Sequence, residues 1–267
     1  MADPEMTANM PADHIVIQFT NLKDLEHTAE RVHDSLNKKG DGNQFIIIHG
    51  LTKKARKQLD SEERALDGIP YRFMFDNTTG IIKILTYEHD AITINITRQI
   101  DLLCLAWGIN PIAEFTWGMA TTRLLCARSK GKQPDQCLFP NSGTPRDRAA
   151  WPTLVVEAGV VGSLPRLRED ARWWLRNSQG EVRIAIVLGM HRQRRKLIIK
   201  KWQQPAASPQ AYAAQTTEIS SDTASGTPLV LPFEELFNRP PQGRETDIVL
   251  AEEQLRCCMR WAWQLAD

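Results

Sequence analysis

The stretch Trp151-Pro152-Thr153-Leu154-Val155-Val156-Glu157-Ala158-Gly159 decides how the chain is read. Leu154-Val155-Val156 is a short, continuous apolar run, the pattern of a strand buried inside a sheet. It ends in a carboxylate, and an ionised side chain is rarely buried unless it is paired or coordinated. Glu157 is therefore either a structural carboxylate, paired with Arg168 or Arg183, or a metal ligand. Downstream, Ser163 to Asn177 carries Leu164, Leu167, Ala171, Trp174 and Leu175 on one helical face and ends near Gly180. Val182 to Leu188 and Leu197 to Trp202 then read as a pair of strands.

Working upstream, Pro134-Asp135 lies 22 residues before Glu157, after the polar loop Ser129 to Gln133. Asp135 is either a turn residue after proline or the second carboxylate of a site. Two carboxylates on neighbouring strands, facing the same way, make a hard-oxygen site suited to Mg²⁺ or Mn²⁺. Further upstream, Tyr71 to Phe75 and Ile81 to Tyr87 flank the turn-rich Asp76 to Gly80, as in a β-hairpin. A helix follows with Ile92, Ile96, Ile100, Leu103 and Trp107 on one stripe, and it stops at Gly108-Ile109-Asn110-Pro111. His14 to Phe19 and Phe45 to His49 read as strands, Leu22 to Leu36 and residues 52 to 66 as helices. Ile112 to Trp117 and Thr121 to Ala127 are short strand candidates. Phe233 to Phe237 and Ala251 to Leu265 are helical.

The order of elements predicts an α/β fold with one central mixed sheet and helices on its faces. Residues 1–13 read as a flexible tail and 14–68 as an extension packed on a core of residues 69–267. Residues 203–228, rich in Pro, Ala, Ser, Thr and Gln, read as a disordered insertion.

The 267 residues carry 33 Lys plus Arg against 32 Asp plus Glu, a net charge of +1 that excludes nucleic-acid binding by bulk charge. The balance is uneven, because residues 166–201 hold 11 basic against three acidic residues, or +8. No apolar run approaches the ~20 residues of a membrane helix. The acidic N-terminus has no apolar signal core, and five cysteines include no CxxC pair. These features predict reduced thiols and an intracellular protein, nuclear or cytoplasmic, with no membrane partner.

The ordered set just quoted resembles the PD-(D/E)XK nuclease superfamily. More narrowly it resembles the Uma-type endonuclease-like proteins and a related fungal group of nuclease-like proteins. The residues that carry the resemblance are Tyr87-Glu88-His89 at a helix start, Pro134-Asp135, the strand ending in Glu157 and the helix with Arg168-Glu169-Asp170-Ala171-Arg172-Trp173-Trp174. The Leu229 to Leu250 region also looks like the fungal group. The resemblance implies a restriction-endonuclease-like sheet, Asp135 and Glu157 as catalytic carboxylates binding Mg²⁺ (or Mn²⁺), and hydrolysis of DNA phosphodiester bonds.

The superfamily motif has Lys two residues after the Glu, and Gly159 stands there. In the Uma-like branch the basic residue moves into the following helix, which assigns its role to Arg168 or Arg172. These two flank the buried stripe four residues apart, whereas Arg166 is expected to be solvated. Arg clamps phosphate well but is a poor general base, so binding is retained more readily than turnover.

The basic run His191 to Lys196 lies between two strands, where Arg192, Arg194, Arg195 and Lys196 either form a solvated turn or grip phosphates. His89 is a cap or a site residue and Trp174 is core. Trp173 is exposed, or stacks on a base or under another element. Ser163 has no His placed to activate it as a nucleophile. The Cys257-Cys258 pair is read as packing or surface. Three readings follow: a metal-dependent endonuclease on DNA, an inactive remnant binding nucleic acid or a protein, and a structural domain with a salt-bridged Glu157. A second copy of the chain is the remaining partner considered.

Overall fold

The computed structural model describes residues 4–61, 65–111, 113–118, 122–125, 129–140, 150–205 and 210–264. A single 3₁₀ turn (Pro4–Thr7) leads into β1 (Ile15–Gln18), α1 (Leu22–Lys39), β2 (Phe45–His49) and α2 (Lys53–Leu59). The hairpin of β3 (Tyr71–Asp76) and β4 (Thr79–Ile84) turns through Asn77, which takes the left-handed φ of 54° that such tight loops require. Then come α3 (Tyr87–Trp107), β5 (Phe115–Gly118), β6 (Arg123–Leu125), β7 (Lys130–Lys132), β8 (Gln136–Pro140) and β9 (Leu154–Val160). After α4 (Leu164–Asn177) the chain forms β10 (Ile184–His191), β11 (Lys196–Gln203), β12 (Tyr212–Ile219), β13 (Ala224–Ser225) and β14 (Leu229–Leu231). It closes with α5 (Phe233–Phe237), β15 (Ile248–Leu250) and α6 (Glu252–Gln264).

The fold is α/β, with two large sheets where one was expected. The first has the order β1-β2-β4-β3-β7-β6, and the second β13-β12-β11-β10-β9-β8-β5. A two-stranded ribbon, β14-β15, completes the described strands. The first sheet pairs β2 with β4, so it runs across position 68, where the extension was expected to end. Helix α1 is fixed at its start by Asn21, whose side chain accepts from the amide of Asp24, and at its end by Gly40 in the left-handed conformation.

In the second sheet β8 and β9 are antiparallel, whereas β9 and β10 are parallel and joined through α4. One face of β9, with Leu154, Val156 and Ala158, packs into the core shared with α3 and α6. The other face, with Val155, lies under Leu167, Ala171 and Trp174 of α4. In the first sheet, Ile46, Ile48, Phe73, Phe75, Ile82 and Ile84 face α1 and α2. Phe45, Ile47, Met74 and Ile81 face the opposite way.

Two expectations about flexibility are corrected. Within residues 203–228, β12 pairs along its length with β11, and residues 206–209 alone lie outside the described residues. The small and polar residues of Tyr212–Ile219 suit a half-exposed outer strand whose backbone bonds, rather than apolar burial, hold it. The supposed tail is also docked from Pro4 onward, with Met6 only 2% exposed. Most of the expected polar loop at 141–150 lies outside the described residues.

Helix α4 packs closely over Gly189 of β10, where an added Cβ would sit 2.6 Å from a methyl carbon of Leu164. Gly189→Ala should cost about 1–3 kcal/mol through overpacking, read as a lower urea midpoint with unchanged slope.

Candidate functional site

The antiparallel register pairs Gln136 with Val156, so the next step sets Asp135 against Glu157 with both side chains on the α4 side of the sheet. The same two residues stand at the edge where the first sheet meets the second. From that sheet, Lys83 of β4 and Lys132 of β7 project on the face shared with Met74.

The Lys83 ammonium sits between the carboxylates, donating to Asp135 Oδ2 at 2.6 Å and to Glu157 Oε2 at 2.8 Å. It also reaches the backbone carbonyl of Ala158 at 3.4 Å. Asp135 Oδ2 accepts from the Ala158 amide at 2.7 Å and lies 2.9 Å from His89 Nε2. Arg72 clamps the approach to this carboxylate, its Nε donating to the carbonyl of Pro134 at 2.9 Å and its Nη2 to that of Asp135 at 3.2 Å. On the other side, Glu157 Oε1 accepts from Trp174 Nε1 at 2.6 Å, with Lys132 Nζ at 3.3 Å. Lys132 donates to Asp170 at 2.6 Å, and Arg166 does so at 2.9 Å. All seven ionisable members from Lys83 to Asp170, Arg72 aside, are buried.

Burial alone would push both aspartates up. For Asp135 the cations Lys83 and His89 outweigh it and hold the carboxyl well below its ordinary range. For Asp170, Arg166 and Lys132 do the same, and its pKa falls to about 2. Burial would pull Lys83 and His89 down, but Asp135 raises both. Lys83 is thus a fixed cation and no proton acceptor, and His89, also 3.0 Å from Asp90, keeps its proton to a higher pH than a free imidazole.

Asp135 Oδ2, Glu157 Oε2 and the Ala158 carbonyl converge on the Lys83 ammonium; oxygen-only sets of this kind suit Mg²⁺ and Mn²⁺, so a hard cation fits here only where Lys83 Nζ has withdrawn from between them. Asp135 Oδ1 is a further buried acceptor with no hydrogen-bond partner among the described residues. No group of three or more His, Cys, Asp or Glu side chains forms a metal cluster among the described residues, so the set rests on two carboxylates and a carbonyl. A cavity of about 20 Å³ lies beside Lys83, Lys132 and Glu157, room for about one water.

The expected basic residues stand elsewhere. Arg172 pairs with Glu169 at 2.5 Å and lies over the Trp202 ring at 5.2 Å, facing β11. Arg168 is partly exposed and acts on Lys200 of the same strand. Neither reaches the carboxylates, and Arg183, the structural alternative, is exposed. Arg166, expected in solvent, is 2% exposed. The first sheet covers the side of α4 that a single sheet would leave in solvent, with Arg166 Nη2 3.5 Å from Met74 Sδ.

In the basic turn, Arg192 is 3.0 Å from Glu88 and Lys196 is 2.5 Å from Glu218, whereas Arg194 and Arg195 are exposed. Trp174 is core, as expected, and also holds Glu157. Trp173 is half-buried against Trp151. Ser163 is buried, its hydroxyl without a partner among the described residues. Cys104, Cys137, Cys257 and Cys258 are free, and Cys126 lies outside the described residues.

Lys83, Lys132, Arg72 and Asp170 were not singled out from the sequence. Lys83 did carry a signal: it is a lone charge in Ile81-Ile82-Lys83-Ile84, the same anomaly that marks Glu157. Gln44 is a further member. Its Oε1 accepts from the Val160 amide at 2.9 Å, and its amide group lies 2.9 Å from where a Cβ on Gly159 would stand.

No family model matches the chain, and no curated protein is significantly similar to it. No helix among the described residues is long and apolar enough to cross a membrane.

Lys83→Met strands two buried carboxylates and should cost about 3–5 kcal/mol at neutral pH. Adding Asp135→Asn should cost less than the sum of the single changes, a coupling read from urea unfolding in a double-mutant cycle. His89 has a folded pKa raised above 6.5, so its contribution is complete below that pH and is lost as pH rises through the folded value. The melting temperature should therefore fall as pH climbs above 6.5, and less steeply in His89→Gln.

Proposed function

We propose that the chain is a divergent metal-dependent phosphodiester hydrolase acting on DNA, and that Lys83 is its basic catalytic residue. The observation that carries this reading is the Lys83 ammonium held between Asp135 and Glu157 beside the Ala158 carbonyl. It supplies the carboxylate–carboxylate–lysine set that the resemblance implies, with the lysine arriving from β4 instead of position 159. The order of α3, β5, β8, β9, α4 and β10 supports the same reading, since Asp135 precedes one strand of an antiparallel pair and Glu157 lies in the other.

Asp135, Glu157 and the Ala158 carbonyl would hold Mg²⁺ or Mn²⁺ once the Lys83 ammonium swings out from between them, and the ion would polarise a phosphodiester and acidify an attacking water. Lys83, a permanent cation, stabilises the negative charge that builds on the phosphorus oxygens in the transition state. Lys132 and Arg166 line the same cavity and offer further positive charge to a phosphate. Trp174 orients Glu157 through Oε1, leaving Oε2 directed at Lys83. Arg194 and Arg195, exposed in the turn between β10 and β11, would offer positive charge to the DNA backbone.

A second reading, a non-enzymatic remnant that binds nucleic acid or a protein, is favoured by the burial of the whole cluster and by its charge. Arg72, Lys83, Lys132 and Arg166 outnumber Asp135, Glu157 and Asp170. Supercoiled plasmid incubated with Mg²⁺ or Mn²⁺ separates the two. Hydrolysis predicts nicking that falls by about 10²-fold or more in Asp135→Asn, Glu157→Gln and Lys83→Ala, whereas Arg168→Ala and Arg172→Ala nick normally. Nicking that persists in Asp135→Asn removes the site assignment. Salt-sensitive DNA retention without nicking, in the chain as it stands and in its Met6→Asp form, selects the remnant.

A further inference from the structure

The N-terminal segment packs behind residues that line the charged cavity. Met6 is buried in one cluster with Phe45, Ile47, Met74 and Ile81. Three of those, Phe45, Met74 and Ile81, also line the cavity that holds Lys83, Lys132 and Glu157. The segment is gripped by a member of the site itself. Arg166 Nη1 donates to the carbonyl of Met6 and, at 3.4 Å, to that of Ala8, while Nη2 holds Asp170 at 2.9 Å. Asn9 donates to Glu169 on the exposed side of α4 at 2.9 Å.

Between the turn at Pro4–Thr7 and the start of β1 there is no strand pairing among the described residues, and the segment is held by Met6, by the partly buried Met10 on the same cluster and by these polar contacts. Local openings of this kind draw on elements with few buried contacts. A backbone carbonyl is a neutral acceptor. A phosphate oxygen offers Arg166 the same geometry with a full charge and a stronger bond.

We propose that residues 4–10 form an autoinhibitory latch. Its Met6 side chain covers the apolar residues that wall the cavity, and its carbonyls occupy the Arg166 guanidinium that a phosphate takes when the segment lifts. The proposal deepens the hydrolytic reading by saying what keeps that site closed, and the burial of the cluster belongs to the latched state.

The latch is tested on the full chain with Met6→Asp and the milder Met6→Ala, following oxidation of individual methionines by dilute hydrogen peroxide with peptide mass spectrometry. Met74 lies under Met6, whereas Met190 and Met259 are buried in the separate core around α3 and α6 and report general loosening. The latch predicts that Met74 oxidises about tenfold faster or more in Met6→Asp and to a lesser degree in Met6→Ala, with Met190 and Met259 unchanged. A synthetic peptide of residues 1–13 should restore protection of Met74 in either variant. An unchanged Met74 rate overturns the latch, and so does a joint rise of all three methionines in both variants that the peptide does not reverse. Plasmid nicking on the same samples is read separately. Faster Met74 oxidation together with raised nicking supports both proposals. Faster oxidation with no nicking in either metal leaves the latch standing and removes the hydrolytic reading.

Discussion

The structure depends on one ammonium group. Lys83 leaves the first sheet, enters the second and sits between two carboxylates that are almost wholly buried. Without a cation at that point, Asp135 and Glu157 would be two like charges in a medium of low dielectric, which no amount of apolar packing on β9 would compensate. The two sheets therefore meet through charged groups at this edge, and each packs its outer hydrocarbon face on its own helices. The second tier, Lys132 and Arg166 with Asp170, repeats the arrangement one step further along α4.

That joint accounts for the placement of the helices. Helix α4 turns its apolar stripe to the second sheet and its Arg166–Asp170 edge to the first, so it is covered on two sides. Trp174 serves both purposes, its ring in the core and its N–H on Glu157. An indole buried with its N–H satisfied contributes its full apolar area and leaves no orphan donor.

Local pattern made most elements legible. The hairpin after Ile69, the long helix ending at Gly108, the strand ending at Glu157 and the helix before Gly180 all follow from periodicity and turn residues acting over a few positions. The meeting of Asp135 with Glu157 was legible as well, because it needs only adjacent strands. What lay beyond reach was long-range: which second sheet covers the site, and from which strand its cation comes. Lys83 is 74 residues from Glu157, and no local pattern measures such a separation. The same gap explains Arg166, which a one-sheet view sends to solvent. Residues 212–219 were misread for a different reason: backbone pairing at a sheet's outer strand needs no large apolar side chain.

Gly159 and Gln44 are locked together by space. A Cβ at position 159 would meet the Gln44 carboxamide at 2.9 Å, and that carboxamide is held by the Val160 amide. Any side chain at 159 thus requires Gln44 to be cut back first, and shortening Gln44 alone leaves the Val160 N–H bare. Each single change loses what the pair keeps, so the two positions are free to change only as a pair.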